Sequence, residues 1–380
     1  MRRPLTVVQL LPKLDVGGVE RGTIQIAQAL VRAGHRAIVV SASGRLVNEL
    51  EDCGAEHIAL AIGRKSIGSL RYVRALASLI RRERVDVVHA RSRMPAWLGY
   101  MAVRLIRGTA RPAWVTTVHG PYSVNRYSRI MTSGDRVIAI SEFIRDYVHS
   151  NYPKVAPERV VVIPRGVERD LYRHDFVPST EWLARWQKER RAQPDLPLVI
   201  LPGRLTRWKG QLEFIDVIAE LRRRGVAVHG LIAGAAERRR MNFAQELRTR
   251  VAALGLERDI SFLGQRNDLR ELLAVAQVAC SFTTEPEAFG RTTVEALSLG
   301  TPVVGYDHGG TGEILRTMYP YGLVPTKNVG VAADRVAALL KTPIPVPRDH
   351  PYTVEQLQEG TLAVYEAVND LRSTHQRAKS

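Results

Sequence analysis

Two carboxylates, Glu287 and Glu295, lie eight positions apart around a predicted helix start. Apolar spacing predicts the helix over 291–299, and Phe289 and Gly290 lead into it with little bulk above its first amides. A helix N-terminus carries unpaired N–H groups and a partial positive charge, so it can bind phosphate. A carboxylate near that phosphate is a better partner for sugar or ribose hydroxyls. The combination predicts a nucleotide-sugar pocket, and an ordinary strand–helix unit with solvated glutamates is the alternative.

A basic turn, Gly203–Gly210 (GRLTRWKG), follows a second predicted strand. The guanidinium of Arg204 offers a fork for phosphate oxygens, and the ammonium of Lys209 offers a point charge. An exposed basic turn without a ligand is the alternative interpretation.

Two features of the first half resemble ligand-binding positions. Gly17 and Gly18 follow the first predicted strand, where glycines let the backbone approach a ligand and the next helix offers its amides. His119 ends another predicted strand, at the edge where open α/β sheets bind ligands. A tight turn without a ligand and a structural histidine are the respective alternatives. His89, at the end of a third strand, is a weaker candidate for the acceptor side.

The composition excludes several classes of protein. A hydrophobic content of 45% and a charged content of 24% are typical of a globular protein, and 380 residues suffice for two domains. The two cysteines, Cys53 and Cys280, are far apart, which predicts buried thiols in a reducing compartment. The chain has no run of about 20 apolar residues, no P-loop and no D-x-D pair. We therefore expect neither a membrane span nor a bound metal.

The net charge of +17 points to anionic partners. Arginine supplies most of it, and aromatic residues are only 6%, without the motifs of nucleic-acid-binding proteins. Arginines concentrate in the first half, at positions 71, 74, 81, 82, 84, 91, 93, 104, 107 and 111. We expect either a solvated helical face or a patch that docks on anionic membrane lipid or on a phosphorylated glycolipid acceptor.

Continuous apolar strands alternate with helices in both halves, which predicts parallel sheets covered on both faces. The fold class is therefore α/β, with two Rossmann-like domains on either side of a cleft. We predict domains over 1–175 and 190–345, a junction in 168–196 and a terminal helix within 350–373. The predicted strands are 7–11, 37–41, 85–89, 114–119, 137–141, 160–164, 198–203, 229–234, 260–264, 278–282 and 302–306; the predicted helices include 22–33, 67–82, 142–152 and 353–371.

Together these motifs resemble the retaining glycosyltransferases of family 4. PEAFG followed by TTVEALSLGTPVVG resembles the family's donor-binding signature, in which two glutamates lie eight positions apart. GGVE, GRLTRWKG and FLGQRNDL resemble further family motifs, and they occur in the family's order. The segment IPRGVE departs from the family's I-P-N-G-V-D, because Arg165 replaces an asparagine.

The resemblance implies the GT-B fold, in which the terminal helix crosses back to the first domain. It implies that Glu295 binds ribose hydroxyls, Glu287 hexose hydroxyls, and Arg204 and Lys209 the donor diphosphate. His119 would contact the transferred sugar. Further donor-binding candidates are Gly17, Gly18, Arg266, Leu269, Phe289, Gly290 and Arg291. No cofactor is expected beyond the nucleotide-sugar donor.

We therefore expect a hexosyltransferase acting on a glycan or glycolipid, such as lipopolysaccharide, in the cytoplasm or at the inner face of the plasma membrane. We lean to a UDP-linked donor on family frequency alone. A nucleotide-sugar epimerase on the same fold, or a non-catalytic anion-binding relative, remains the alternative.

Overall fold

The computed structural model describes residues 3–15, 17–190, 195–236 and 241–377. The chain forms two compact units: unit 1 is Met1–Arg165 with Val354–Ser380, and unit 2 is Gly166–Thr353. The sequence placed the junction in 168–196, whereas the division falls directly after Arg165. The chain returns to unit 1 at its terminal helix.

Unit 1 is built on a seven-stranded parallel sheet with the strand order β3-β2-β1-β4-β5-β6-β7. Its inner strands are largely buried, because helices follow nearly every strand and cover the sheet, whereas the edge strands β3 and β7 are half-buried or exposed. Its elements are β1 Thr6–Lys13, α1 Gly18–Arg32, β2 Arg36–Ala42, α2 Val47–Asp52, β3 Glu56–Ala59, α3 Arg71–Arg82, β4 Val87–Ala90, α4 Arg93–Arg104, β5 Ala113–Val118, β6 Arg136–Ala139, α5 Glu142–Asn151 and β7 Val160–Val162.

Unit 2 has a six-stranded parallel sheet with the order β10-β9-β8-β11-β12-β13. Its core includes the fully buried rings of Phe282 and Tyr306, whose centres lie 5.1 Å apart. Its elements are α6 Thr180–Glu189, β8 Leu198–Pro202, α7 Gln211–Arg223, β9 His229–Ala233, α8 Met241–Ala253, β10 Ile260–Gly264, α9 Leu269–Val275, β11 Val278–Ser281, α10 Arg291–Ser298, β12 Val303–Tyr306, α11 Gly309–Met318, β13 Leu323–Val324 and α12 Val329–Lys341.

The terminal helix α13, Val354–Arg377, belongs to the core of unit 1. Tyr365 is fully buried there, and its hydroxyl lies 2.6 Å from Nδ1 of His89. Gln358 donates to the carbonyl of Gln25 at 2.8 Å and accepts from Arg32 at 2.6 Å. These bonds fix α13 against β4 and α1 in unit 1, as the resemblance implied for the terminal helix.

The differences from the predicted elements have local causes. The strand predicted over 137–141 ends at Ala139, because the hydroxyl of Ser141 caps α5 by accepting from the amide of Ile144 at 3.1 Å. The helix predicted over 67–82 is a 3₁₀ turn, Ile67–Leu70, followed by α3. The sequence missed β3 and β13, which are short edge strands without a continuous apolar run.

Three chemical features complete the fold. Cys280 is buried and Cys53 only half-buried, and both are free thiols. In the described ranges, no cluster of three His, Cys, Asp or Glu side chains is arranged to hold a metal. None of the described helices combines the length and hydropathy needed to cross a membrane.

Candidate functional site

The basic turn after β8 presents Lys209 at the start of α7. Gly210 adopts φ +79°, and a Cβ there would lie 2.0 Å from the carbonyl oxygen of Phe282, so this position requires glycine. The buried amide of Gln211 donates to the carbonyl of Arg204 at 3.1 Å and closes the turn. The side chain of Arg204 is exposed. The side chain of Gln211 and the close approach of Gly210 to Phe282 therefore fix the turn, which leaves Arg204 exposed and Lys209 half-buried.

Lys209 and Glu287 form an ion pair in unit 2. Nζ of Lys209 lies 2.5 Å from Oε1 of Glu287, and the two side chains are only 15% and 18% exposed. Nζ also lies 4.5 Å from the ring centre of Trp208. The predicted phosphate ligand and the predicted hexose ligand therefore meet directly, although 78 positions separate them. Removing either one leaves the other as a shielded charge without its counter-ion.

The loop that carries Glu287 is fixed by the glycine pair at the start of α11. The amide of Gly310 donates to the carbonyl of Glu287 at 2.7 Å. A Cβ on Gly310 would lie 2.2 Å from the carbonyl oxygen of Phe289, and one on Gly309 would lie 2.7 Å from that of Glu287. Gly290 adopts φ +95° and begins α10. Gly309 and Gly310 are therefore both required by close backbone contact with this loop.

Glu295 projects from α10 and is buried, with 6% of its side chain exposed. Its Oε1 accepts from Nε of Arg291 at 2.7 Å, one helical turn earlier. Burial raises the pKa of Glu295, while Arg291 and a hydrogen bond with Tyr172 lower it. The pKa of Tyr172 is raised, chiefly by burial and then by the charge of Glu295. The sequence analysis missed Tyr172, because its segment carries no motif.

Two further donor-binding candidates, Arg266 and Leu269, lie beyond β10. Two carboxylates bind the guanidinium of Arg266. Asp268 accepts two hydrogen bonds from it at 2.8 Å, and Glu189 accepts two, at 2.5 and 3.3 Å. Asp268 also accepts from the indole of Trp182 at 2.8 Å, so Arg266 ties this turn to α6. The side chain of Arg266 is therefore committed to structural ion pairs. Leu269 begins α9 and is half-buried.

In unit 1, His119 follows β5 and meets Arg165, which follows β7. Nη2 of Arg165 lies 3.0 Å from Nδ1 of His119. A guanidinium only donates, so Nδ1 accepts and the proton of the neutral ring sits on Nε2. Nε2 is buried and has no hydrogen-bond partner among the described residues. Burial lowers the pKa of His119 well below its ordinary value, and the charges of Arg165 and Arg91 lower it further. His119 is therefore a neutral imidazole with one unused donor.

The predicted glycine loop lies against this pair. Gly17 precedes α1 and Gly18 begins it; Val16 lies outside the described residues. A Cβ on Gly18 would lie 2.5 Å from Nη1 of Arg165, so glycine leaves room for the guanidinium. A Cβ on Gly17 would lie 2.3 Å from a carboxylate oxygen of Glu20. Three strand ends therefore bring Gly18, His119 and Arg165 together.

Two first-half residues have other roles than the sequence suggested. His89 is fully buried, with its nitrogens 2.6 Å from the hydroxyls of Tyr365 and Thr117, so it belongs to the core rather than to an acceptor surface. Arg91 is only 5% exposed, and it donates to the side chain of Gln9 at 3.3 Å. It is therefore no part of a basic surface.

Two family models match the chain in succession. Glycosyltransferase Family 4 matches residues 16–171, and Glycosyl transferases group 1 matches residues 184–352. The chain belongs to the group 1 glycosyltransferases. This family membership agrees with the resemblance found in the motifs.

Solved structures confirm the GT-B fold of this glycosyltransferase. A glycosyltransferase from Rickettsia africae is 26% identical with a TM-score of 0.80, over 97% of this chain and 99% of that one. Anabaena Alr3699/HepE in complex with UDP is 22% identical with a TM-score of 0.73, over 96% of this chain and all (100%) of that one.

The curated relatives differ in how much of this chain they match. Alpha-maltose-1-phosphate synthase of Mycobacterium tuberculosis is 29% identical over 212 residues, 54% of this chain and 52% of that protein. The chain thus spans about half the length (52%) of this relative. Phosphatidyl-myo-inositol mannosyltransferase of Mycobacterium leprae is 25% identical over 336 residues, 86% of this chain and 85% of that protein.

Proposed function

We propose that this chain is a retaining glycosyltransferase that moves a hexose from a UDP-linked donor to a hydroxyl of a glycan or glycolipid. The observation that carries the proposal is the arrangement in unit 2, where Lys209 and Glu287 pair beside α10 and Glu295 lies on that helix. It supplies a cation for phosphate and two carboxylates for hydroxyls. The UDP complex of the Anabaena protein, which shares the fold, supports the choice of donor.

In this proposal each unit 2 residue has one task. Arg204 and Lys209 bind the diphosphate, and Lys209 exchanges part of its contact with Glu287 for phosphate oxygens. Glu287 then accepts from the hexose hydroxyls, and Glu295 accepts from the ribose. Arg291 holds the carboxylate of Glu295 in place at 2.7 Å. Phe289 and Gly290 lead the chain into α10, and Leu269 lies near the base.

The proposed reaction needs no protein nucleophile. The bond between the anomeric carbon and the phosphate oxygen breaks, and the acceptor oxygen bonds to the same face of that carbon. The acceptor proton passes to the departing phosphate, so UDP leaves and configuration is retained. Fixed cations stabilise the charge that develops on the leaving group. We propose that Arg204 and Lys209 supply these cations without a metal, so that EDTA leaves turnover unchanged.

In unit 1, His119 is proposed to donate from Nε2 to an oxygen of the transferred sugar. Gly17 and Gly18 are proposed to bring the first amides of α1 close to the substrate. Both proposals follow from the unused Nε2 donor and from the absence of side-chain bulk at the loop.

We propose a membrane-bound glycolipid acceptor, as in lipopolysaccharide or surface polysaccharide assembly at the cytoplasmic face. Ile67 and Leu70 are 88% and 50% exposed, and Arg64, Lys65 and Arg71 flank them in the sequence, all exposed. Such a surface suits an anionic interface, at about 1 kcal/mol for each cation close to the lipid. Vesicles with anionic lipid should sediment the protein in a salt-sensitive way, and equal binding to zwitterionic vesicles would contradict this proposal.

A transfer assay tests the proposed activity. UDP-glucose, UDP-galactose and UDP-N-acetylglucosamine are incubated with the full chain and a bacterial glycolipid extract, with and without EDTA. The proposal predicts an acceptor-dependent release of UDP and a product with the anomeric configuration of the donor, assigned by NMR. Epimerised nucleotide-sugar formed without acceptor would instead identify an epimerase.

A further inference from the structure

A cavity of about 470 Å³ lies in unit 1 among α4, the segment 126–133 and the turn after α5. Of its lining residues, Arg159 directly precedes the strand β7, and Ser133 lies three positions before β6. His119 follows β5 at the carboxyl edge of the same sheet. The cavity therefore reaches the amino edge of the sheet, away from the loops that carry His119 and Gly18.

The cavity is basic and has no counter-charge of its own. None of its lining residues is an aspartate or glutamate. Its cations are Arg126, Arg129, Lys154 and Arg159. Within the described ranges none of these four forms a salt bridge, whereas Arg145 on the adjoining helix α5 pairs with Glu142 and Asp146. Arg159 is held by the carbonyl of Gly134, which accepts from its Nε at 3.0 Å.

Aromatic and aliphatic side chains form the rest of the wall. Trp97 and Tyr100 lie three positions apart on α4 and are half-buried. The indole N–H of Trp97 already donates to the carbonyl of Tyr127 at 3.0 Å, and the hydroxyl of Tyr100 accepts from Arg104 at 3.2 Å. Ile130 is only 4% exposed. Since their polar atoms are engaged, the rings offer apolar surface to a ligand.

We propose that this cavity binds an organic phosphate, whose charge meets Arg126, Arg129 and Lys154 and whose sugar or acyl part covers Trp97 and Tyr100. Cations without carboxylates favour a dianion, and guanidinium groups match phosphate oxygens. The volume is that of a small-molecule site, and aromatic walls are typical of such sites. The phosphate can come from a soluble sugar phosphate or from a lipid headgroup. The proposal is independent of the donor chemistry in unit 2.

Indole NMR signals of the ¹⁵N-labelled full chain test the proposal. The chain has five tryptophans, and Trp97→Phe identifies the Trp97 signal. The probes are glucose 1-phosphate and dihexanoyl phosphatidic acid below its micelle concentration, each compared with glucose or dihexanoylglycerol. The signal of Trp208, beside Lys209, separately reports binding in unit 2.

The test variant is Arg126→Gln/Arg129→Gln/Lys154→Gln. Arg185→Gln/Lys188→Gln/Arg258→Gln removes the same charge from exposed positions of unit 2 and is the matched control.

A phosphate probe should shift the Trp97 signal at concentrations where its neutral counterpart does not. The test variant should bind about tenfold more weakly, since an exposed ion pair contributes about two- to fivefold in affinity, and the control should bind as wild type. Stronger binding of the sugar phosphate would identify a soluble ligand, and stronger binding of the lipid would identify a headgroup. An unshifted Trp97 signal, or equal weakening in the control, would overturn the proposal.

Discussion

Replacing Arg165 by methionine should release His119 from its fixed tautomer. The variant keeps an unbranched apolar side chain but removes the donor 3.0 Å from Nδ1 of His119 and its charge. A hydrogen bond from a charged donor contributes about 1.5–3 kcal/mol. A free-energy difference of about 1.4 kcal/mol corresponds to a tenfold population ratio. In the wild type, the population of the Nε2–H tautomer should therefore exceed that of the Nδ1–H tautomer by about tenfold or more. In Arg165→Met that preference should largely disappear.

The same substitution should change the titration of His119. Its pKa lies well below the ordinary value because of burial, Arg165, Arg91 and His89, so the wild-type ring should stay neutral as pH falls through about 6.5. Without Arg165 the pKa should rise, and protonation should begin at higher pH. Burial and the charge of Arg91 remain in the variant, so the pKa of the ring should stay below the ordinary value.

¹⁵N signals of histidine-labelled protein report both properties without any substrate. The chain has ten histidines, and His119→Asn identifies the relevant signal. Arg165→Lys, which keeps the cation, should hold the pKa low, and the exposed Arg169→Met serves as a control. If the His119 tautomer and titration are the same in Arg165→Met as in the wild type, the assigned role of Arg165 is wrong.

Three further predictions concern unit 2. Gly310→Ala places a Cβ 2.2 Å from the carbonyl oxygen of Phe289, which should lower the free energy of unfolding by about 1–3 kcal/mol and weaken UDP binding. Denaturant titration measures the stability, and an unchanged free energy of unfolding would contradict the packing. Lys209→Met leaves Glu287 without its partner at 2.5 Å and removes a proposed phosphate ligand, so kcat/KM should fall about 10²- to 10³-fold. A change below threefold would exclude Lys209 from the reaction. Burial raises the pKa of Glu295, so acidification should weaken UDP binding at a higher pH than protonation of an ordinary glutamate would. In calorimetric titrations, Glu295→Gln should bind UDP more weakly than wild type, with an affinity that does not change over the same pH range. An equal decline of UDP affinity in both proteins would refute the assignment.

The alternation of apolar strands and helices was sufficient to predict two parallel sheets, because strands buried on both faces read as continuous apolar runs. The edge strands β3 and β13 escaped prediction, since a short, half-buried strand lacks that signature. Gly300, in the segment TTVEALSLGTPVVG, adopts φ +83° after α10, which is typical of a glycine that follows a helix end.

Long-range contacts within each unit were not readable from the sequence. The motifs identified Lys209 and Glu287 separately, but their ion pair depends on how β8 and β11 lie side by side in the sheet. Arg165 was recognised only as a departure from a motif, whereas its contact with His119 depends on the ends of β5 and β7. Tyr172 and the ion pairs of Arg266 likewise depend on tertiary packing.

Calorimetric titration of UDP into the full chain in EDTA, with wild type and Glu295→Gln compared, tests whether unit 2 carries the donor site. We predict metal-independent binding of one UDP per chain, weakened about tenfold or more when the buried carboxylate no longer accepts a ribose hydroxyl. The absence of UDP binding, or equal affinity in the two proteins, would contradict a donor site built on α10.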